Sequence, residues 1–136
     1  MNGHLVLDAS RASLSSTLSF PQIVRNLLDA GVEYYHVDYI SMRTAYYGTE
    51  GDVVVCPITY EDLPSVALDF DARALREAIR DSQQKGQPYR EFSRRALKAG
   101  VQSYFAFLRG QRVTYLGRQG DEHTEWFPGA AAKPSQ

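Results

Sequence analysis

The stretch FPQIVRNLLDAGVEYYHVDYISMRTAYYGTEGD at residues 20–52 decides the fold, because it recurs 69 positions later without a gap. Residues 89–121 have the sequence YREFSRRALKAGVQSYFAFLRGQRVTYLGRQGD. Two copies are too few for a solenoid, which needs about three repeats. The recurrence therefore predicts one domain with two similar halves. Identical residues occupy equivalent positions at Arg25/Arg94, Leu28/Leu97, Ala30/Ala99, Gly31/Gly100, Val32/Val101, Tyr35/Tyr104, Arg43/Arg112, Tyr46/Tyr115, Gly48/Gly117, Gly51/Gly120 and Asp52/Asp121.

Each copy has the pattern of a capped helix followed by strands. Ser19 and Gln22 have the spacing of a capping box at the start of the first helix. Gly31 follows the apolar stripe of that helix and predicts a left-handed helix end. From Tyr34 onward apolar and polar residues alternate with a period of two, which indicates a strand. The second copy repeats this pattern, with Gly100 in place of Gly31.

Two further helices are expected outside the copies. One covers roughly residues 4–16, and the other begins after the candidate cap Asp71 and ends at Gly86. The fold predicted for residues 1–128 is a single α+β domain of two similar α-β-β halves. Its largely antiparallel sheet carries helices mainly on one face. The tail at 129–136 lacks core-forming residues, and we expect it to be flexible.

The composition indicates an ordinary soluble globular protein. The 136 residues are 43% hydrophobic and 23% charged, and the formal net charge is -1. These values exclude collagen-like, disulfide-stapled and mostly disordered chains. No apolar run approaches the roughly 20 residues that span a bilayer, so no membrane association is expected. The start of the chain lacks the pattern of a signal peptide, and the single Cys56 cannot form an internal disulfide. Together these features predict a cytoplasmic location.

Two short patterns contain residue types that support chemistry. His36 and Asp38 are two positions apart on one predicted strand, and His123 and Glu125 have the same spacing on another, so each pair points to one face. Two imidazoles and two carboxylates could hold zinc or another divalent metal, or perform general acid–base catalysis. These four residues are the candidate catalytic and metal-binding residues. The competing interpretation is a solvated polar strand face, and the sequence requires no cofactor.

Tyrosine is abundant, with nine residues in the chain. Tyr35 and Tyr46 recur in the second copy, which favours a role in the core. Tyr34 and Tyr47 do not recur. Because a tyrosine offers an apolar body with a polar tip, these two are the candidate ligand-binding residues.

A basic helix is predicted over residues 89–98. Arg90, Arg94 and Lys98 are four residues apart and share one helix face. This face could bind an anion or nucleic acid. No recognised nucleic-acid motif accompanies it, so a solvated face is favoured and nucleic acid is an unfavoured partner.

The strand predicted over residues 102–108 is apolar at successive positions. Such strands are normally covered on both faces, whereas the helices of a small chain cover one. We therefore expect Phe105 and Phe107 to lie in a homodimer interface, or to be shielded by the N-terminal segment.

Segments in both copies resemble a known family. They are FPQIV at 20–24, AGVEYYHVD at 30–38, YY at 46–47, YREFS at 89–93, AGV at 99–101, YLGR at 115–118 and HTEWFP at 123–128. Together they resemble the YbcV-like family of small bacterial proteins of unknown function (DUF1398), sometimes labelled phage envelope proteins. The resemblance covers roughly residues 5–128 and implies a bacterial, cytoplasmic protein. It brings no established site residues.

Three functions follow from these observations. The leading expectation is a small cytoplasmic, non-enzymatic protein that binds a second copy of itself or another protein. The first alternative is a metal-dependent or acid–base enzyme that uses His36, Asp38, His123 and Glu125. The second alternative is an anion or nucleic-acid binder that acts through helix 89–98.

Overall fold

The computed structural model describes residues 1–130 and confirms an α+β fold. The predicted flexible tail falls largely on residues 131–136, outside the described part of the chain. The first half contains α1 (Gly3–Ser15), α2 (Phe20–Asp29), β1 (Val32–Asp38), β2 (Arg43–Gly48) and β3 (Val53–Pro57). The second half contains α3 (Ala72–Lys85), α4 (Tyr89–Lys98), β4 (Val101–Phe107), β5 (Arg112–Gly117) and β6 (Glu122–Trp126).

The two halves have the same element order, and every element of the second begins 69 residues after its counterpart. This element order agrees with the predicted α-β-β halves, and each half carries one further helix and one further strand. The helices expected outside the copies are α1 and α3, and they occupy equivalent positions. No helix within residues 1–130 has the length and apolar character needed to cross a membrane.

The six strands form one sheet in the order β3-β2-β1-β4-β5-β6. All neighbouring strands are antiparallel. The halves meet at the central β1–β4 pair, where His36 lies directly opposite Phe105. These two positions are also 69 residues apart in sequence. An approximate twofold axis therefore passes between them and relates the two halves.

All four helices pack on the same side of the sheet. Each contributes a fully buried side chain to the core: Val6 from α1, Leu27 from α2, Leu75 from α3 and Leu97 from α4. We call this side the covered face and the other side the open face. Alternate residues of each strand point to alternate faces.

The helix ends show why glycine occupies equivalent places in both halves. Gly31 and Gly100 have φ of 92° and 90°, so the predicted left-handed conformation is confirmed at both. The backbone also passes close to them. A Cβ atom at Gly100 would lie 2.4 Å from the carbonyl oxygen of Asp69, and one at Gly31 would lie 3.3 Å from the Cα of Met1.

The predicted capping box at the start of α2 is also confirmed. The backbone N–H of Ser19 donates to Oε1 of Gln22 at 2.9 Å, and the backbone N–H of Gln22 donates to Oγ of Ser19 at 3.4 Å. Local sequence signals therefore place the first repeated helix correctly.

Candidate functional site

The two His-carboxylate pairs lie on opposite faces of the sheet. Through β4 and β5, His36 lies in one cross-strand row with Phe105 and Thr124. Directly paired residues point to the same face, so Thr124 faces the open side with His36. His123 and Glu125 flank Thr124 and point to the covered side. The predicted convergence of the two pairs is therefore wrong. Within residues 1–130, no three His, Cys, Asp or Glu side chains cluster as a metal site would require.

Asp38 is engaged by the turn that follows its strand. Its Oδ1 accepts from the backbone N–H of Ile40 at 2.8 Å and of Ser41 at 3.3 Å, and its Oδ2 accepts from the hydroxyl of Ser41 at 2.8 Å. Burial alone would raise the pKa of Asp38, but these hydrogen bonds and the neighbouring His36 lower it from its ordinary value. The carboxylate therefore stabilises the β1–β2 turn.

His36 lies at the centre of the open face. Its ring stacks on Phe105 with 4.3 Å between ring centroids. Burial lowers the pKa of His36 from its ordinary value of 6.5, against the opposing effect of the Asp38 charge. The neutral imidazole is therefore favoured at this position.

His123 and Glu125 form a local pair on the edge strand β6. The Nε2 of His123 lies 3.0 Å from Oε1 of Glu125. The imidazole also lies against Tyr115, with 6.4 Å between ring centroids. This pair has no third potential metal ligand among the described residues.

The tyrosines divide between the two faces as the repeat predicts. The four recurring tyrosines are all buried in the core on the covered face: Tyr35, Tyr46, Tyr104 and Tyr115. Tyr34 and Tyr47 lie on the open face and stack with 4.7 Å between ring centroids. The core interpretation is confirmed, whereas a ligand-binding role for Tyr34 and Tyr47 stays a prediction.

The tyrosines of the covered face carry a hydrogen-bond network. The hydroxyl of Tyr39 donates to Oγ of Ser93 at 2.9 Å and lies 3.4 Å from the hydroxyl of Tyr89. Tyr89 in turn shares a hydrogen bond with Tyr104. Burial raises the pKa of Tyr46 to about 12, so its hydroxyl stays protonated near neutral pH. The hydrogen bonds of Tyr39 and Tyr104 therefore connect the sheet side of the core to helix α4.

The open face consists of three cross-strand rows of six residues. Aromatic and aliphatic side chains dominate it, and its central row has no permanently charged residue. The outer rows are Val53, Tyr47, Tyr34, Phe107, Arg112, Trp126, and Pro57, Arg43, Asp38, Ser103, Leu116, Glu122. The central row is Val55, Ala45, His36, Phe105, Thr114, Thr124.

The expectation that the N-terminal segment shields Phe105 and Phe107 is wrong. Helix α1 packs on the covered face, where Ala9 joins the core and Ser10 is buried. The two phenylalanines point to the open face and stack with 5.8 Å between ring centroids. The homodimer alternative stays a prediction.

A cavity of about 320 Å³ opens at one end of the open face, beside the β4–β5 turn. Residues from β1, β4, β5, β6 and the turn line it: Glu33, Tyr34, Phe107, Arg109, Gly110, Arg112, Thr114 and Thr124. Sequence reasoning missed this cavity because its walls are far apart in the chain. The available signal was the pair of arginines around the Gly110 turn.

The basic helix predicted as an anion-binding alternative is α4. Its arginines form ion pairs: Arg90 with Asp62 at 3.1 Å, Arg94 with Glu91 at 3.3 Å and Arg95 with Asp81 at 2.7 Å. Because neighbouring carboxylates already balance much of its charge, this helix is less suited to an external anion.

Comparison with known proteins adds a family. The family described as "Protein of unknown function (DUF1398)" matches residues 12–125. Uncharacterized proteins of Mycobacterium bovis and Mycobacterium tuberculosis are each 30% identical to this chain over 116 residues. That region covers 85% of this chain and 70% of each relative. The names of these relatives state no ligand, partner or reaction.

Proposed function

Because the chain belongs to the DUF1398 family, whose function is unknown, we propose a role from its surface: it is a binding protein that self-associates through the open face. The observation that carries the proposal is a sheet with four helices on one face and, along the middle of the other, a row without a permanently charged residue. Two copies stack their open faces to bury that row.

The area of the open face supports a second copy as the partner. Six strands about 4.8 Å apart, each of about six residues rising about 3.3 Å, give a face of about 600 Å². Two such faces together bury about 1,200 Å², at the lower end of the range for specific interfaces. Two valines of the edge strand β3 are exposed apolar residues of this face, with Val53 at 48% and Val55 at 54%.

The charges of the open face also suit a second copy. A twofold dimer needs a surface that is complementary to itself. The central row is uncharged when His36 is neutral, and the outer rows hold both signs, with Asp38 and Glu122 as acids and Arg43 and Arg112 as bases. Such a face can place an acid of one copy against a base of the other without burying an unpaired charge at its centre.

Analytical ultracentrifugation over a range of concentrations tests this proposal. We expect the unaltered protein to sediment as a dimer and Val55→Asp to sediment as a monomer. Because the side chain of Val55 is more than half exposed, the variant keeps the fold of each copy. The matched control is Leu5→Asp, which places the same charge at a residue of α1 that is 44% exposed.

The Leu5→Asp variant should remain a dimer, since α1 lies on the covered face. An unaltered protein that is monomeric at every concentration contradicts the proposal. Equal dissociation of the two variants does so as well, because it shows that the open face is not the contact.

A further inference from the structure

We propose that the cavity beside the β4–β5 turn binds a small organic anion with a planar apolar body, of the class of aromatic carboxylates. The cavity lies on the open face of a single copy, so the proposed second copy would cover it, and the site is tested on the Val55→Asp variant, in which that face is free. Its walls combine two aromatic rings, a pair of hydroxyls and two guanidinium groups.

The apolar wall is formed by Tyr34 and Phe107, whose ring centroids are 5.9 Å apart. Across the cavity the hydroxyls of Thr114 and Thr124 lie 3.0 Å from each other. The volume of about 320 Å³ is near the lower limit for small-molecule sites. A one- or two-ring ligand matches this volume, with its flat side against the aromatic wall.

The charge of the cavity selects an anion. Arg109 and Arg112 line it, and Glu33 is the one carboxylate among the described lining residues. Within residues 1–130 neither guanidinium takes part in an ion pair. The guanidinium of Arg112 lies 4.9 Å from the ring centroid of Trp126, a contact that holds it in place. A held arginine suits the planar, two-oxygen geometry of a carboxylate.

The other half of the molecule shows that this charge is local to one end. Arg43 is the counterpart of Arg112, and it lies opposite Asp38 on the neighbouring strand, whereas Arg112 lies opposite Phe107. Ile40 stands where the second half has Arg109. The same arginine is therefore next to a carboxylate at one end and next to an aromatic ring and a second arginine at the other.

Isothermal titration calorimetry on the Val55→Asp variant tests the ligand class with four probes: 2-naphthoate, the neutral 2-naphthylmethanol, acetate and inorganic phosphate. We expect 2-naphthoate to bind with a stoichiometry of one per chain, and at least about ten-fold more tightly than each of the other three, because only it supplies both the ring and the carboxylate. Comparable binding of the neutral alcohol contradicts the role of the arginines. Comparable binding of phosphate contradicts the role of the aromatic wall.

Matched variants in the same Val55→Asp background place the binding in the cavity. Arg112→Gln should weaken 2-naphthoate binding at least about ten-fold, since a charge-assisted hydrogen bond is lost, while Arg43→Gln should leave it unchanged. Equal effects of the two variants, or none, overturn the proposal. Circular dichroism confirms that each variant is folded before its binding is compared.

One further titration separates this proposal from self-association. Val55→Asp removes a residue that does not line the cavity. The Val55→Asp monomer should bind 2-naphthoate at one site per chain, whereas titration of the unaltered dimer should show weaker binding, because the second copy covers the cavity. Loss of naphthoate binding by the folded Val55→Asp monomer contradicts a site formed within one chain, whereas a dimeric Val55→Asp protein that still binds contradicts the self-association proposal alone.

Discussion

The covered and open faces of the sheet are built from alternate residues of the same six strands, yet they differ in what lies against them. On β1, Tyr35 and Val37 point to the helices and are 8% and 2% exposed. Tyr34 and His36 alternate with them and contact neighbouring aromatic rings of the sheet itself. Both faces are rich in apolar side chains, but the helices of the chain pack against one of them and leave the other open. The difference separates the residues that stabilise the fold from those available for recognition.

The largest difference in stability between the two faces should appear when a buried leucine is truncated to alanine. Leu97→Ala removes a side chain that is 2% exposed on the covered face, and it should lower the free energy of unfolding by about 2–5 kcal/mol. Val53→Ala on the open face should cost less than about 1 kcal/mol in the monomer. Urea denaturation at a concentration that keeps the protein monomeric measures both. Equal losses would remove the distinction between the faces.

The next largest effect is a loss of stability at two equivalent helix ends, one in each half. Gly31→Val and Gly100→Val should each destabilise by at least about 1–2 kcal/mol, because a β-branched residue is strained at positive φ. The loss should be greater at Gly100, where the added Cβ meets the backbone oxygen of Asp69 at 2.4 Å. Thermal unfolding of the two variants checks the order. A smaller loss at Gly100 would contradict the close approach seen there.

A smaller effect concerns hydroxyl groups on the two faces. Ser93→Ala removes the acceptor of the buried Tyr39 hydroxyl and should cost about 1 kcal/mol. Thr114→Ala breaks the Thr114–Thr124 contact on the open face, where water can replace it, and should cost less than about 0.5 kcal/mol. Urea titrations of both variants measure the change in the free energy of unfolding. A larger loss in Thr114→Ala than in Ser93→Ala would contradict the comparison.

The smallest effect is a pH dependence of self-association. The pKa of His36 is lowered in the folded protein, so its neutral form is favoured and stability is lost as the pH falls below 6.5. Protonation also places a charge in the central row, so the dimer should weaken over the same range. His36→Phe, which copies the counterpart residue Phe105, should remove that part of the pH dependence. Sedimentation at pH 7.5 and pH 5.5 measures the dissociation constant of the dimer. If this constant changes with pH as much in His36→Phe as in the unaltered protein, the pH dependence belongs to other groups.

Local signals made much of the fold predictable. The capping box at Ser19, the glycines at the helix ends and the offset of 69 residues depend on neighbours in sequence or on simple recurrence. The repeat also separated core tyrosines such as Tyr35 from Tyr34, because a core position is constrained in both halves.

The site was harder to predict because it depends on which strands become neighbours. The face to which His123 points follows from the pairing of β6 with β5 and of β5 with β4, and a shift of one residue reverses it. The cavity likewise requires that β1 of the first half lie beside β4 of the second, so that Tyr34 meets Phe107. No single strand encodes which strand becomes its neighbour. The spacing of His36 and Asp38 therefore predicted that they share a face, but not which residues of other strands lie beside them.

The approximate twofold axis between His36 and Phe105 bears on docking specificity. The backbone of the open face is nearly the same after half a turn, but eight of its nine pairs of counterpart side chains differ. Among these pairs, Asp38 against Phe107 and Val53 against Glu122 also differ in charge, as do Ile40 and Arg109 in the adjoining turns. A second copy that docks half a turn away would therefore meet different side chains and different charges, so the side chains select one orientation on a backbone that would accept two.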